Sequence, residues 1–221
     1  MHLTDDLLPA AWYWFGALAL AVLLLRAARN APWRRLAQSS LLNAWLGAIV
    51  GLAVLWTIRA GIQPGLAFHL LGGTVCTLMF GPHLALLAIS LVAVAVAFTG
   101  GIEPWSLPLN VLLMGGVPIA VSLGVLRAAE RWLPSHFFVY IFAVAFFGAA
   151  LSMAATGLAA SALLASGGAY PLDYLRSDYL PWFLLMSWAE AFTSGALITV
   201  LVVYRPQWVT TFDDRRYLDG K

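Results

Sequence analysis

Long apolar runs separated by short polar segments fill most of this 221-residue chain. A helix needs about 20 mainly apolar residues to cross the hydrocarbon core of a bilayer. The pattern predicts membrane-spanning helices in seven places, near residues 10–28, 41–59, 66–81, 83–99, 107–126, 137–166 and 180–204. Only Gly81-Pro82 separates the third predicted span from the fourth, so one long kinked segment there would reduce the number to six.

The basic residues favour seven spans over six. With seven spans and the N-terminus outside, ten of the twelve Lys and Arg residues lie in inner loops or in the C-terminal tail, and only Arg59 and Arg176 lie outside. This asymmetry follows the positive-inside rule. Merging the third and fourth spans would place Arg127, Arg131 and the tail outside. We therefore expect an all-α membrane protein of seven transmembrane helices, with the N-terminus outside and the C-terminus in the cytoplasm.

The composition agrees with a multi-pass protein of the cell (inner or plasma) membrane. Hydrophobic residues make up 62% of the chain and charged residues 10%, a balance that excludes a soluble protein. We expect a single transmembrane domain over residues 1–221, with an extracytoplasmic N-terminus (residues 1–9) and a short cytoplasmic tail (residues 205–221). The net charge of +2 gives no indication of nucleic-acid binding, and the single cysteine, Cys76, allows no internal disulfide.

The chain begins Met1-His2, which is a candidate metal chelate. The terminal amine, the peptide nitrogen of His2 and its imidazole can close fused rings on one cation. These nitrogens suit a square-planar Ni(II), Co(II) or Cu(II) centre better than an oxygen-seeking ion. Because His2, Asp5 and Asp6 stand where a cleavable signal peptide needs positive charge, we expect the terminus to be retained. The alternative is that His2 is an incidental residue of a disordered terminus.

A second histidine, His69, falls at the outer end of the third predicted span, on the same side as His2. With the amine and one peptide nitrogen, the two imidazoles complete a set of four nitrogen ligands. Gly72 and Gly73 would leave room for the terminus to pack against this helix. The alternative for a histidine inside a membrane is a hydrogen bond between helices.

Two further polar residues lie within predicted spans and need a partner there. Glu190 could orient a metal-bound imidazole, bind the metal itself or form an interhelical hydrogen bond. Asn110 lies near the outer start of the fifth span, and the same three roles are possible for it. His83 and His136 fall at inner helix ends, where we assign them no chemistry.

No catalytic set is visible, so we expect no enzymatic activity from this chain. The sequence lacks a metalloprotease histidine pair and a phosphate-binding loop. No histidine lies at the depth of the candidate nucleophiles Ser152, Ser161 and Ser194. Small residues at 17–21 and 148–165 either pack the spans against one another or dock a partner's helices.

Four motifs in order along the chain resemble those of one family. They are Met1-His2-Leu3 with Leu8-Pro9, His69 with Gly72-Gly73 and Phe80-Gly81-Pro82, Asn110 with Met114-Gly115, and Glu190 with Tyr204-Arg205-Pro206. By these motifs the chain resembles the CbiM/NikM family, the substrate-binding membrane component (permease) of energy-coupling factor transporters for cobalt and nickel. The motifs together extend over nearly the whole chain.

The resemblance implies a ligand set and a group of partners. The Met1 amine, the amide nitrogen and imidazole of His2 and the His69 imidazole would hold Ni(II) or Co(II) as the transported ion, with no organic cofactor. Asn110 and Glu190 would support these ligands without binding the metal themselves. The family's architecture adds an N-terminal span to a six-helix component. Transport inward would need a transmembrane coupling subunit and two cytoplasmic ATPases, with a small accessory membrane subunit in some systems.

The chain departs from the family's pattern in two places. Thr4-Asp5-Asp6 replaces an acidic-glycine pair, and His69-Leu70-Leu71-Gly72 replaces a His-Pro-Thr-Gly type of segment. The leading hypothesis is the substrate-specificity component of a cobalt or nickel uptake transporter, with a link to cobalamin biosynthesis. The alternatives are a carrier of another divalent cation such as copper, and a non-transporting membrane scaffold or assembly protein.

Overall fold

The computed structural model describes residues 2–37 and 39–218, without the side chains of residues 39 and 62. Met1, the predicted amine ligand, lies outside the described residues. Long helices joined by short turns dominate the fold. In chain order the elements are α1 (Ala10–Asn30), α2 (Trp33–Leu36), α3 (Ser39–Thr57), β1 (Ala60–Gln63), β2 (Leu66–Phe68), α4 (Gly73–Phe98), α5 (Leu107–Trp132), α6 (Phe137–Ser166), α7 (Leu172–Tyr204), a 3-10 turn (Pro206–Trp208) and α8 (Asp214–Tyr217).

The described part of the chain has six helices long and apolar enough to cross a membrane, namely α1 and α3 to α7. Their outward faces carry large apolar side chains, such as Leu18 (67% exposed), Val50 (65%) and Leu184 (69%). A surface with so many large apolar side chains would promote aggregation in water, whereas it is stable in contact with lipid chains. The chain is therefore a helical, multi-pass membrane protein, as the composition predicted.

A small β-hairpin interrupts the helices between α3 and α4. The strands β1 and β2 are antiparallel, with Ala60 opposite Phe68 and Gln63 opposite Leu66. Gly65 makes the turn with a φ of +76°, a conformation that other residues rarely adopt. The expectation of a wholly α-helical chain was wrong here, because residues 66–68, assigned to the third span, form a strand.

The third and fourth predicted spans fall in α4, which contains a break. Gly81 has φ +79° and ψ 167°, outside the helical region, and Pro82 follows it. Pro82 has no N–H to donate to the carbonyl of Leu78, four residues earlier. The tail after α7 supplies the missing donors, since the Thr211 hydroxyl bonds the Leu78 oxygen at 2.8 Å and the Thr210 N–H bonds the Met79 oxygen at 2.9 Å.

Polar contacts join the loops at two opposite ends of the bundle. At the end that carries His2, the Asp5 carboxylate accepts from the Ser106 N–H at 2.7 Å, and the Tyr170 hydroxyl donates to the Pro64 carbonyl at 2.8 Å. At the end that carries the tail, Arg216 and Glu130 form a 2.8 Å ion pair. We call these the His2 end and the tail end.

The helices of the core approach one another closely near the N-terminus of α4. A Cβ atom at Gly73 would lie 2.6 Å from the Cβ atom of Pro118 in α5, and one at Gly115 would lie 2.7 Å from Ile89 in α4. Glycine at both positions therefore lets the two backbones pack tightly. This contact sets the position of the α4 N-terminus against the middle of α5.

Candidate metal centre

The first residues of the chain are held in place by Asn110 of α5. The Leu3 N–H donates to Asn110 Oδ1 at 2.8 Å, and Asn110 Nδ2 donates to the Leu3 carbonyl at 3.1 Å. Asn110 Nδ2 also lies 3.2 Å from the Ser106 hydroxyl oxygen. The Asn110 side chain is completely buried, so its bonds to the backbone are shielded from competition with water. Asn110 thus orients the residue directly after His2.

Two more side chains hold the same segment, which we call the N-terminal strap (residues 2–9). The Tyr13 hydroxyl donates to the Thr4 carbonyl at 2.7 Å and accepts from the Leu8 N–H at 3.0 Å. The Asp5 carboxylate accepts from the backbone N–H groups of Trp105 and Ser106. Leu3 packs into the core with 1% of its surface exposed. The strap is therefore a docked segment, in contrast to the disordered terminus of the alternative interpretation.

His69 lies between β2 and the N-terminus of α4, in a stretch that Glu190 holds. The Glu190 carboxylate, from the middle of α7, accepts from the Leu71 and Gly72 N–H groups, each at 2.8 Å. A helix N-terminus presents unpaired N–H groups and partial positive charge, which a carboxylate satisfies. Gly72 has a φ of +68°. Glu190 therefore positions the backbone just after His69 rather than the imidazole itself.

The fold brings the two predicted histidines together at the His2 end. The ring centroids of His2 and His69 are 5.0 Å apart, and both side chains are buried. The indole of Trp56, from α3, lies 5.0 Å from the His69 ring and 6.3 Å from the His2 ring. Its Nε1 donates to the Leu71 carbonyl at 3.3 Å. Trp56 forms an apolar wall that shields the two imidazoles.

The contacts of His69 indicate which of its ring nitrogens faces the site. Nδ1 lies 2.8 Å from the Leu70 carbonyl oxygen. Because a carbonyl oxygen only accepts, Nδ1 carries the proton of the neutral ring. Nε2 is then unprotonated, and it lies 3.2 Å from the sulfur of Met114. Unprotonated Nε2 is a form of imidazole that binds metals.

His2 has a cationic neighbour. Its Nδ1 contacts the Arg59 guanidinium, which also donates to the Gly101 carbonyl at 2.5 Å. His2 Nε2 is buried and has no hydrogen-bond partner among the described residues. Burial, together with the charge of Arg59, lowers the pKa of His2 to about 3. The imidazole is therefore neutral at physiological pH, as a metal ligand must be.

Side chains alone do not make a metal site here. Within the described ranges, no three His, Cys, Asp or Glu residues form a group that could hold a metal ion. The pair of imidazoles would need further donors to hold a metal ion. Sequence reasoning missed the roles of Arg59, Trp56 and Met114 here. Arg59 was noted only as one of two outer cations, and Met114 only as part of a motif.

Asn110 and Glu190, which the sequence places as polar residues within predicted spans, are both buried in the structure. Both bind backbone rather than an imidazole, and each acts next to one of the two histidines: Asn110 at Leu3, and Glu190 at Leu71 and Gly72. His83 and His136 lie outside this cluster. The site thus consists of two histidines on separate segments, each segment held by a polar residue from another helix.

Comparison with known proteins identifies the family and the fold of this chain. Over residues 2–208 the chain matches the family CbiM, described as the cobalt uptake substrate-specific transmembrane region. No curated protein matches the chain in sequence. A crystal structure of a truncated transition metal transporter superposes with a TM-score of 0.80 at 17% identity, covering 92% of this chain and 99% of the other. A second transition metal transporter structure superposes with a TM-score of 0.78 at 18% identity, covering 91% and 92%. These structural likenesses establish the fold, and the match over residues 2–208 establishes that the chain belongs to the CbiM family.

Proposed function

We propose that this protein is the substrate-binding component of a cobalt or nickel uptake transporter, with the ion bound between His2 and His69. The main supporting observation is that the centroids of the two buried rings are 5.0 Å apart, although the two residues are 67 positions apart in sequence. The ligands would be the Met1 amine, the His2 amide nitrogen and imidazole, and the His69 imidazole. Family membership and the fold of transition metal transporters support this assignment.

The donor chemistry favours a late first-row metal. Four nitrogen ligands in a plane suit Ni(II), Co(II) and Cu(II), and the site has no carboxylate among these ligands to favour a harder ion. The six-membered ring that includes the His2 amide closes through the nearer ring nitrogen, Nδ1, which Arg59 contacts. Metal binding therefore replaces the Arg59 contact. We propose cobalt or nickel as the substrate and copper as a competitor.

We further propose that the chain crosses the membrane seven times, with the N-terminus outside. Leu78 and Met79, just before the break at Gly81, contact Thr210 and Thr211 at the tail end. The other end of α4 leads to Gly101, which meets Arg59 at the His2 end. A reversal at Gly81 accounts for both contacts, with one crossing before it and one after. The positive-inside distribution supports the same orientation.

Partner subunits follow from this function. The chain carries no phosphate-binding loop in its sequence, so ATP hydrolysis would take place in separate cytoplasmic ATPases. A transmembrane coupling subunit would join them to this protein, with a small accessory membrane subunit as a further candidate. The substrate-binding component itself would act as a binding protein and not as an enzyme. In the cell it would supply metal, for example for cobalamin biosynthesis.

The test is nickel binding by purified protein whose N-terminus is unblocked. We expect one Ni(II) per chain by metal analysis and calorimetry. One residue added before Met1 should abolish tight binding, because the amine would move out of the chelate. The same residue added after Lys221 serves as the matched control and should change nothing. Tight binding by the N-terminally extended protein would overturn the chelate, and absence of metal from both proteins would favour a scaffold.

A further inference from the structure

We propose that the thioether of Met114 is an additional ligand of the bound metal. This inference rests on the proposed function and adds a soft donor to the nitrogen set. The Met114 sulfur lies 3.2 Å from His69 Nε2, the ring nitrogen that faces the site. Met114 is completely buried, so the sulfur is held within the protein and away from solvent.

The distance between the two atoms fits two ligands of one ion. Bonds of zinc, a guide for late first-row metals, are about 2.0 Å to histidine nitrogen and about 2.3 Å to cysteine sulfur, and the bond to an axial thioether is longer. Two such ligands at a right angle are therefore at least about 3.0 Å apart, and two on opposite sides at least about 4.3 Å apart. The observed 3.2 Å therefore matches adjacent ligands. A cation at bonding distance from both atoms would lie to one side of the line that joins them.

A hydrogen bond does not account for this contact. With the proton of the neutral ring on Nδ1, facing Leu70, Nε2 has a lone pair and no hydrogen. A thioether has no hydrogen to donate and is only a weak acceptor. In this tautomer both atoms present electron pairs, the form in which each of them can bind a metal cation.

The local fold of α5 places the sulfur where it is. Residues Leu112–Gly116 form a π-helical turn, which is a frequent feature of functional sites. Pro118 explains the wider turn, because it has no N–H to bond the Met114 carbonyl four residues earlier. Gly73 packs directly against Pro118, close to the Met114 carbonyl. The position of Met114 is therefore set by the same close contact that positions the start of α4 after His69.

A right angle to His69 leaves the sulfur outside the plane of the four nitrogens, as a fifth ligand. Axial thioethers of this kind bind weakly and tune a site without dominating its affinity. A soft fifth ligand favours nickel, cobalt and copper over manganese and magnesium. We therefore expect Met114 to contribute to selectivity among metals.

X-ray absorption of the Ni(II)-loaded protein tests this proposal. We expect a sulfur scatterer at the nickel edge that disappears in Met114→Leu, a substitution of similar volume. Nickel affinity should fall about tenfold in this variant, with a smaller change in manganese affinity. Met153→Leu is the matched control, since Met153 is equally buried in α6 and should keep the sulfur signal and the affinity.

The outcomes separate this inference from the function on which it rests. Nickel bound through nitrogen and oxygen alone overturns the role of Met114 and leaves the transporter function standing. A sulfur signal that survives in Met114→Leu overturns it too, since Met1 also carries a thioether. No nickel binding by the unaltered protein contradicts the function itself. Selenomethionine-labelled protein without mutation gives a second measurement, independent of how the variant folds: a missing nickel–selenium distance overturns the proposal.

Discussion

His2 and His69 reach the same site from segments that are held in different ways. His2 belongs to a strap of residues ahead of α1, which side chains from α1 and α5 hold through the backbone of Leu3, Thr4 and Leu8. His69 lies in the interior of the chain, between a hairpin and a helix. There the single carboxylate of Glu190 accepts from the N–H groups of Leu71 and Gly72.

The difference reflects what each segment lacks. The strap has no helix or sheet of its own, so its backbone groups need polar partners from elsewhere when they are buried. The His69 segment leads into α4, and the N–H groups that donate to Glu190 lie at the start of that helix, where the helix itself supplies no acceptor. Loosening the strap should therefore affect the site and little else. Loosening the His69 segment should also disturb the packing of α4, and with it the stability of the protein.

The largest effect is expected from His69 itself. His69→Ala removes one of the four proposed nitrogen ligands, and we expect nickel affinity to fall at least about a thousandfold, which corresponds to about 4 kcal/mol of binding free energy. The thermal midpoint should change little. Calorimetry with Ni(II) and a melting curve measure the two effects. His136→Ala, an exposed histidine at the tail end, is the control and should bind nickel normally.

Asn110→Leu should have the next largest effect. The variant removes both hydrogen bonds to Leu3, and at about 1 kcal/mol each we expect nickel affinity to fall about thirtyfold. The protein should remain folded, because the strap alone is released. Calorimetry and hydrogen exchange at the Leu3 amide measure this. The control is Asn43→Leu, on the exposed face of α3, which should leave nickel affinity and hydrogen exchange at the Leu3 amide unchanged. An equally large loss of thermal stability in Asn110→Leu would contradict a role limited to the strap.

Acid should release the strap in a graded way. The pKa of His2 is lowered to about 3 when the strap is docked and is near 6.5 when it is free. Docking of the strap therefore favours the neutral imidazole. The docked state has its full stability above pH 6.5 and loses stability as the pH falls from 6.5 towards 3. We expect the protection factor of the Leu3 amide, without metal, to fall about tenfold per pH unit in this range.

His2→Gln removes the titrating group and serves as the control for this pH dependence. Protection of the Leu3 amide in this variant should change much less between pH 6.5 and 4. An equal loss of protection in both proteins would show that another group controls docking of the strap.

The smallest effect on metal binding is expected at Glu190. Glu190→Gln keeps one acceptor oxygen and turns an NH₂ group towards an N–H donor, which costs about 1–3 kcal/mol. We expect a clearly lower thermal midpoint but a loss of nickel affinity of only about fivefold. Thermal melting and calorimetry of the same sample measure both. If Glu190→Gln weakened nickel binding more than Asn110→Leu, the contrast between the two segments would not hold.

Much of this molecule can be predicted from its order of residues. Apolar runs of sufficient length show that the chain crosses a membrane as helices, because backbone N–H and C=O groups in lipid must be hydrogen-bonded within the protein and a helix pairs them within one segment. His69, Asn110 and Glu190 stand out because polar groups are expensive there, and His2 stands out because its imidazole and peptide nitrogen can bind one cation. Gly81-Pro82 marks the interruption of α4, since proline lacks the N–H that a helix needs.

The remaining features depend on contacts between distant residues. The strand Leu66–Phe68 looks the same as the start of an apolar helix, because a short apolar run has no periodicity that distinguishes the two. The sequence left the role of Glu190 open between a metal ligand, a partner of a metal-bound imidazole and an interhelical hydrogen bond. In the structure its hydrogen bonds are to backbone N–H groups more than 100 positions away. Likewise, the sequence does not distinguish Met114 from the other apolar residues of its span. The π-helical turn and the contact with Gly73 place its sulfur beside His69. Local composition identifies which groups cannot remain unpaired in a membrane, whereas packing of the helices selects the partner for each of them.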